Sequence, residues 1–223
     1  MYKGPPCLGI KPGDPNDKIK EAAFDFVKQL GYMSFASTAV DGRTPTNRGL
    51  EVHYLDDEKN LYVGASRGKH FYDEMEKLPF CSAVGIDIVS VRISGWLVKD
   101  DRESVRERYW LQNQGTKKMY HKDLSNFQVY RFEKGEGEIF HVYEADAIAR
   151  ARFSFGGEKH RPWSYEINDK CTGCGICVTN CMMDTIHMHG SVAKIGHYGC
   201  NECGICYFSC PHGAIDKNEF VLV

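Results

Sequence analysis

The sequence predicts a mainly β domain followed by a small α+β module organised by cysteine. Three observations carry that expectation. Eight of the ten cysteines fall between Cys171 and Cys210. Ahead of them, short runs rich in aromatic and β-branched residues are separated by turn residues, the pattern of an antiparallel β domain. Between the two regimes lies GGEKHRPWSYE, where Gly156, Gly157 and Pro162 interrupt regular structure. The expected organisation is an extended tail (1–16), a β domain (17–160) and a cysteine module (161–223).

Taken in order, the Pro- and Gly-rich tail should lie extended over the surface, with no role assignable to Cys7. DKIKEAAFDFVKQLG then shows a helical stripe of Ile19, Ala22, Ala23, Phe26, Val27 and Leu30, capped by Asn16 or Asp17 and ended by Gly31. Strand signals follow: YMSFASTA, RGLEVHYL, NLYVGAS, FCSAVGIDIV, VRISGWLV, FQVYRFE and GEIFHVY. DG at 41–42 and DDEKN at 56–60 suit hairpin turns. Helices are expected at 68–78, ended by Pro79, and at 100–112. Antiparallel strands with few helices point to a closed barrel. Cys81 reads as a small buried apolar residue.

The cysteine module repeats itself. CTGCGICVTNC (171–181) and CNECGICYFSC (200–210) both read C-x2-C-x2-C-x3-C, at an offset of 29 (200 minus 171). Gly175-Ile176 matches Gly204-Ile205, and Ile186 matches Ile215, at the same offset. The isoleucines suit an apolar floor, and SVAKI and FVLV suit short strands closing each half. Thiolates are soft ligands for iron–sulfur clusters or zinc. Zinc sites more often use two separated C-x2-C pairs, whereas three cysteines crowd each loop here. His187, His189, His197 and His212 read as surface or packing residues.

All eight positions resemble the ligand run of bacterial 2[4Fe–4S] ferredoxins, over about 55 residues. That resemblance implies crossed ligation: Cys171, Cys174, Cys177 and Cys210 for one [4Fe–4S] cluster, Cys200, Cys203, Cys206 and Cys181 for the other. Met182 departs from the pattern, standing where proline is usual, while Pro211 keeps it. Such modules carry single electrons.

The order of the helix, FASTAVDGRTPTNRGLEVHYLDDEKNLYVGASRGKHFYDEM, RISGWLVKDD and KKMY…FQVYRF resembles the FMN-binding split barrel of the pyridoxamine 5′-phosphate oxidase-like superfamily, over residues 17 to 157. The resemblance implies non-covalent FMN at a homodimer interface. It places the flavin phosphate on Arg48, Lys69 and Ser66, with Arg67 in the same loop. The backbone of 49–52, including Gly49, Leu50 and Glu51, would run beside the flavin ring. Arg92 and Trp96 are weaker candidates, facing the partner subunit. A phosphate monoester needs converging cationic and hydroxyl donors, which these residues supply.

Composition narrows the rest. A formal net charge of −2 without a basic block gives no indication of nucleic-acid binding. No apolar run is long enough to span a membrane, and the N-terminus lacks an apolar signal core. The reading is a cytoplasmic protein in which dense cysteine binds metal rather than forming disulfides. No GxGxxG run supports a Rossmann site. The expected function is an anaerobic-type oxidoreductase passing electrons from a redox donor such as ferredoxin, through two [4Fe–4S] clusters, to FMN and a small-molecule substrate. The alternative is a non-catalytic carrier between redox proteins. No catalytic residue is identified: Tyr120, Tyr130 and His53 fit a proton donor by type alone, and core packing suits each better.

Overall fold

The structure is a computed structural model, and it describes residues 2–144 and 147–219. Helix α1 (Asn16–Leu30) buries Ile19, Ala23, Phe26 and Val27 and stops where Gly31 turns left-handed, at φ 66°. Its N-cap is Pro15, with no capping side chain, which corrects the assignment to Asn16 or Asp17. The Asn16 amide is engaged elsewhere. It donates to the Ser154 carbonyl (2.9 Å) and accepts from the Ser154 N–H (2.8 Å), like one residue of a strand.

Seven antiparallel strands form one sheet: β1 (Tyr32–Thr38), β2 (Pro45–Leu55), β3 (Asn60–Ser66), β4 (Phe80–Ile86), β5 (Val89–Lys99), β6 (Phe127–Glu144) and β7 (Ala147–Phe155). Their order is β3-β2-β1-β4-β5-β6-β7, and an additional β3–β6 pairing closes the first six into a barrel. β2 pairs with β1 from Pro45 to Glu51 but with β3 only from Val52 to Leu55. The barrel is therefore split along residues 45–51 of β2.

FQVYRFE and GEIFHVY, read as two strands, are halves of the 18-residue β6. Its first residues close the barrel against β3, and its later ones pair with β5 and β7. FCSAVGIDIV divides at residues 87–88 between β4 and β5. The expected helices are α2 (His70–Lys77) and α3 (Glu103–Gln112), and a further short α4 (Gln114–Met119) follows. Phe35, Leu61, Ile93, Phe132, Ile139 and Phe153 fill the core, and Cys81 is buried among them. A smaller cluster of Tyr62, Tyr109, Trp110 and Phe127 lies under α3.

The tail does not simply cross the surface. Residues 6–9 form a tight turn, and Cys7 and Ile10 are buried in the barrel core. The Cys7 N–H donates to His141 Nδ1 at 3.1 Å.

The cysteine module has two short sheets. β8 (Tyr165–Ile167) pairs with β11 (Ile215–Lys217), and β9 (Ile186–His189) with β10 (Val192–Ile195). SVAKI supplies β10; FVLV lies outside the described residues. α5 (Ile176–Thr179) and α6 (Ile205–Ser209) follow the two cysteine loops.

Candidate functional site

Each cysteine loop enters its helix through a left-handed glycine, Gly175 at φ 76° and Gly204 at φ 79°. The turn holds three thiols around one loop and sends the helix toward the other half. A cavity of about 340 Å³ results, and its walls bring Cys171, Cys174 and Cys177 together with Cys210 from the second half. Ile167, Ala193 and Ile215 line it, giving apolar surroundings.

Burial, and then the neighbouring Cys200 and Cys203, push the Cys206 thiol up to about 11. Cys200 is also raised, first by burial, with Cys181 of the first half among the charges that raise it. Crowded, part-buried thiols resist sharing negative charge until a cation joins them. Backbone donors ease this: the Thr185 N–H points at Cys181 Sγ and the Ala214 N–H at Cys210 Sγ, both at 3.4 Å, at the repeat offset of 29 (214 minus 185). Eight soft donors in one repeat, with N–H groups aimed at the sulfurs of Cys181 and Cys210, suit iron–sulfur clusters. Ile186 and Ile215 are buried as the floor. Met182 is exposed. His197 is a packing residue, half-buried, with its ring stacked on Trp163 at 4.7 Å and 1°.

The module is fastened to the barrel. Arg150 and Arg152 of β7 pair with Glu138 of β6 and reach Glu202 in the second cysteine loop. Arg150 Nε donates to the Cys200 carbonyl at 3.2 Å. Arg161 in the connecting segment binds buried Glu136, whose carboxyl stays low because Arg161 and Arg92 outweigh the upward effect of its burial. Tyr198 donates to the Ile10 carbonyl at 2.8 Å, bringing the tail into the same seam. Apart from Cys200 and Arg92, none of these residues was singled out from sequence. The available signal was the alternation in AIARARFSF, a β7 with arginines on one face.

The candidate flavin residues fall in two groups. Ser66, Arg67 and Lys69 lie together where β3 ends and α2 begins, Lys69 being the N-cap residue. Asn126 donates to Ser66 Oγ at 3.4 Å, and Arg67 to Gln128 at 3.4 Å. No side chain caps α2, so its first-turn N–H groups add partial positive charge to that of Arg67 and Lys69. An anionic phosphate fits this corner.

Arg48 reaches the same helix from β2. Its guanidinium lies 5.2 Å from the Phe71 ring centroid and pairs with buried Glu74 at 2.8 Å, also donating to Ser37. Any phosphate contact by Arg48 would be shared with that carboxylate. Gly49, Leu50 and Glu51 lie on the unpaired edge of β2, with Glu51 accepting from Thr116 at 2.9 Å.

Of the weaker candidates, Arg92 binds Glu136 but leaves Nη2 buried without a partner, while Trp96 meets Phe80 edge-on at 5.4 Å. Tyr130 is buried in the core, and its hydroxyl is unpartnered, as is His53 Nε2. His53 packs edge-on against Tyr109 at 5.0 Å, and burial lowers its pKa. Tyr120 packs against Phe127.

Comparison with known proteins separates along the same seam. Residues 160–218 match the family model of the 4Fe-4S dicluster domain. A ketoisovalerate oxidoreductase subunit, VorC, of Methanothermobacter marburgensis is 35% identical over 49 residues, 19% of this chain. The match spans 62% of that relative's length. A NimC/NimA family protein from Clostridium acetobutylicum superposes with a TM-score of 0.52 at 26% identity, covering 61% of this chain and 93% of its own. PhzG from Burkholderia lata shares the fold at a TM-score of 0.50 and 15% identity, covering 68% of this chain and 95% of its own. The chain therefore joins a split barrel that shares the fold of these two proteins to a C-terminal 4Fe-4S dicluster domain of ferredoxin type.

Proposed function

We propose that this protein is a flavin/iron–sulfur oxidoreductase that relays electrons through two [4Fe–4S] clusters to FMN held by the barrel, for reduction of a small molecule. The observation that carries the reading is the clamping of a one-electron module onto a split barrel by buried ion pairs. A carrier module needs a consumer of its electrons, and the cationic loop of Arg67 and Lys69 at the start of α2 supports a flavin phosphate there. In this reading Cys171, Cys174, Cys177 and Cys210 hold one cluster, and Cys200, Cys203, Cys206 and Cys181 the other. Lys69, Ser66 and Arg67, with the first turn of α2, hold the phosphate, and Arg48 supports them through its pair with Glu74. The edge of β2 at Gly49, Leu50 and Glu51 lies along the ring. Bound FMN would supply the conversion between single electrons and a hydride equivalent. The expected assembly is a homodimer covering the split, and the expected donor a reduced ferredoxin.

The test is anaerobic stopped-flow reduction of the flavin by ferredoxin, in the full chain and in a chain ending at residue 160. The shortened protein should keep FMN and accept electrons from chemical reductants, but lose rapid reduction by ferredoxin. Equal rates would mean that the clusters are not the path. Cys181→Ser should disturb the cluster of Cys200, Cys203 and Cys206, read by EPR of the reduced protein. Damage confined to the cluster of Cys171, Cys174 and Cys177 would contradict the crossed ligation.

A further inference from the structure

Glu202 breaks the repeat where its geometry is otherwise kept. Its counterpart at the offset of 29 is Gly173 (202 minus 29). Both are left-handed, Gly173 at φ 71° and Glu202 at φ 58°. That region suits glycine and is unfavourable for a residue with a Cβ. In the first half a Cβ at Gly173 would lie 2.3 Å from the Ser191 carbonyl oxygen, so no side chain fits. The second half carries one despite the backbone cost, and every contact of that side chain leads out of its own loop.

The Glu202 carboxylate accepts from Arg152 Nη2 at 2.8 and 2.9 Å, from Arg150 Nη1 at 3.0 Å and from the Ser164 N–H at 2.9 Å. Its own N–H points at Cys200 Sγ, 3.3 Å away. The two arginine side chains are 10% and 2% exposed. Arg152 also holds the connecting segment through the Pro162 carbonyl, at 2.6 Å. One carboxylate thus ties the second cysteine loop, the connecting segment and β7 into a single knot. Residues 183–185, just beyond Cys181, face Tyr143, Ala147 and Ile148 across a shallow cleft, on the same side. By contrast, the cavity of Cys171, Cys174, Cys177 and Cys210 is lined by module residues.

We propose that Glu202 is a positioning residue that makes the cluster site of Cys200, Cys203, Cys206 and Cys181 the barrel-facing end of the electron path. The other cluster site is then the outward one, which meets the donor. This rests on the relay reading above, and the docking itself is measured separately from electron flow. A conserved backbone shape with an exchanged side chain is what such a role requires. The loop still folds around its cluster, and the added carboxylate fixes where that cluster stands.

The experiment uses the full chain, purified anaerobically, as Glu202→Gly and as Arg152→Met, which removes the partner and leaves the loop untouched. Iron content, hydrogen exchange of amides 147–155 and 161–167, dithionite reduction of the clusters, and ferredoxin-driven flavin reduction are compared with wild type. Both variants should keep about eight irons per chain and reduce their clusters with dithionite at the wild-type rate. Exchange in both segments should rise roughly tenfold or more, and ferredoxin-driven flavin reduction should slow roughly tenfold or more. Unchanged exchange with unchanged flavin reduction in Glu202→Gly would overturn the proposal. So would iron loss from that cluster in Glu202→Gly, because the residue would then serve ligation. A wild type that passes no electrons to flavin would sink the relay reading, and with it the electron-path role; the exchange data would still report whether Glu202 docks the module.

Discussion

The barrel and the cysteine module are held together by different physics. The barrel buries a continuous aromatic and aliphatic core, with Phe35, Phe132 and Phe153 fully enclosed, inside a sheet that closes on itself. The module's core is Tyr165, Cys177, Ile186, Ala193, Cys206 and Ile215, so two of its six buried residues are themselves ligand candidates. Its helices are four and five residues long and its strands three or four. A core this small, in a unit of this length, is marginal on its own and leans on metal, disulfides or docking. The module therefore couples its fold to its cofactor, whereas the barrel's core is complete without one.

The sharpest way to break that contrast is to remove the iron. Chelation should abolish amide protection across 161–219 while the barrel's sheet persists, read by hydrogen exchange and circular dichroism. A module that stays protected without iron would show that its apolar core suffices. Next in size, Phe132→Ala should cost the barrel about 3–5 kcal/mol in urea unfolding and leave the iron content unchanged. A loss of iron alongside would mean that the two units do not fold separately. Lys69→Ala is a binding effect rather than a folding one. Loss of a charge-assisted contact to phosphate costs about 1.5–3 kcal/mol, so FMN affinity should fall by roughly one to two decades while cluster spectra stay as in wild type. Isothermal titration of apo-barrel with FMN checks it.

The smallest effect concerns acid. Asp100 is held below the usual carboxylate range, first by its hydrogen bond from Arg102, against the opposing effect of its burial. Its depressed folded pKa gives stability that is complete above the unfolded value of about 3.9 and is lost as pH falls through the folded value. Asp100→Asn should therefore weaken the barrel at neutral pH and flatten its loss of stability below about pH 4, measured by thermal unfolding across pH.

The strands and the ligand run were legible in sequence because each follows from local rules. NLYVGAS matches β3 residue for residue, and the cysteine spacing points to the dicluster domain that the family comparison shows. What escaped depends on distant partners. β7 was missed because Arg150 and Arg152 look like solvated charges until Glu138 and Glu202 are placed beside them. Asn16 looks like a helix cap until Ser154 of β7 comes within reach, more than a hundred residues away. Cys7 and Ile10 carried no periodicity, and their burial depends on how the tail meets β6 and β7. Arg48 stood out as a cation, but Glu74, which neutralises part of its charge, lies on a different element.

The terminal position of β7 in the sheet has one more consequence. The barrel closes through β3 and β6, so β7 is an added strand with a neighbour on one side only. An uncovered edge of this kind presents free N–H and C=O groups and recruits strands from other molecules. Here α1, the tail turn and the 197–199 segment of the module crowd against it. The docked module thus also shields part of this edge and acts as an aggregation guard. A barrel expressed without its module would expose part of a nine-residue edge and tend to self-associate through it, and a lysine placed at an outward position of β7 would restore solubility without restoring electron transfer.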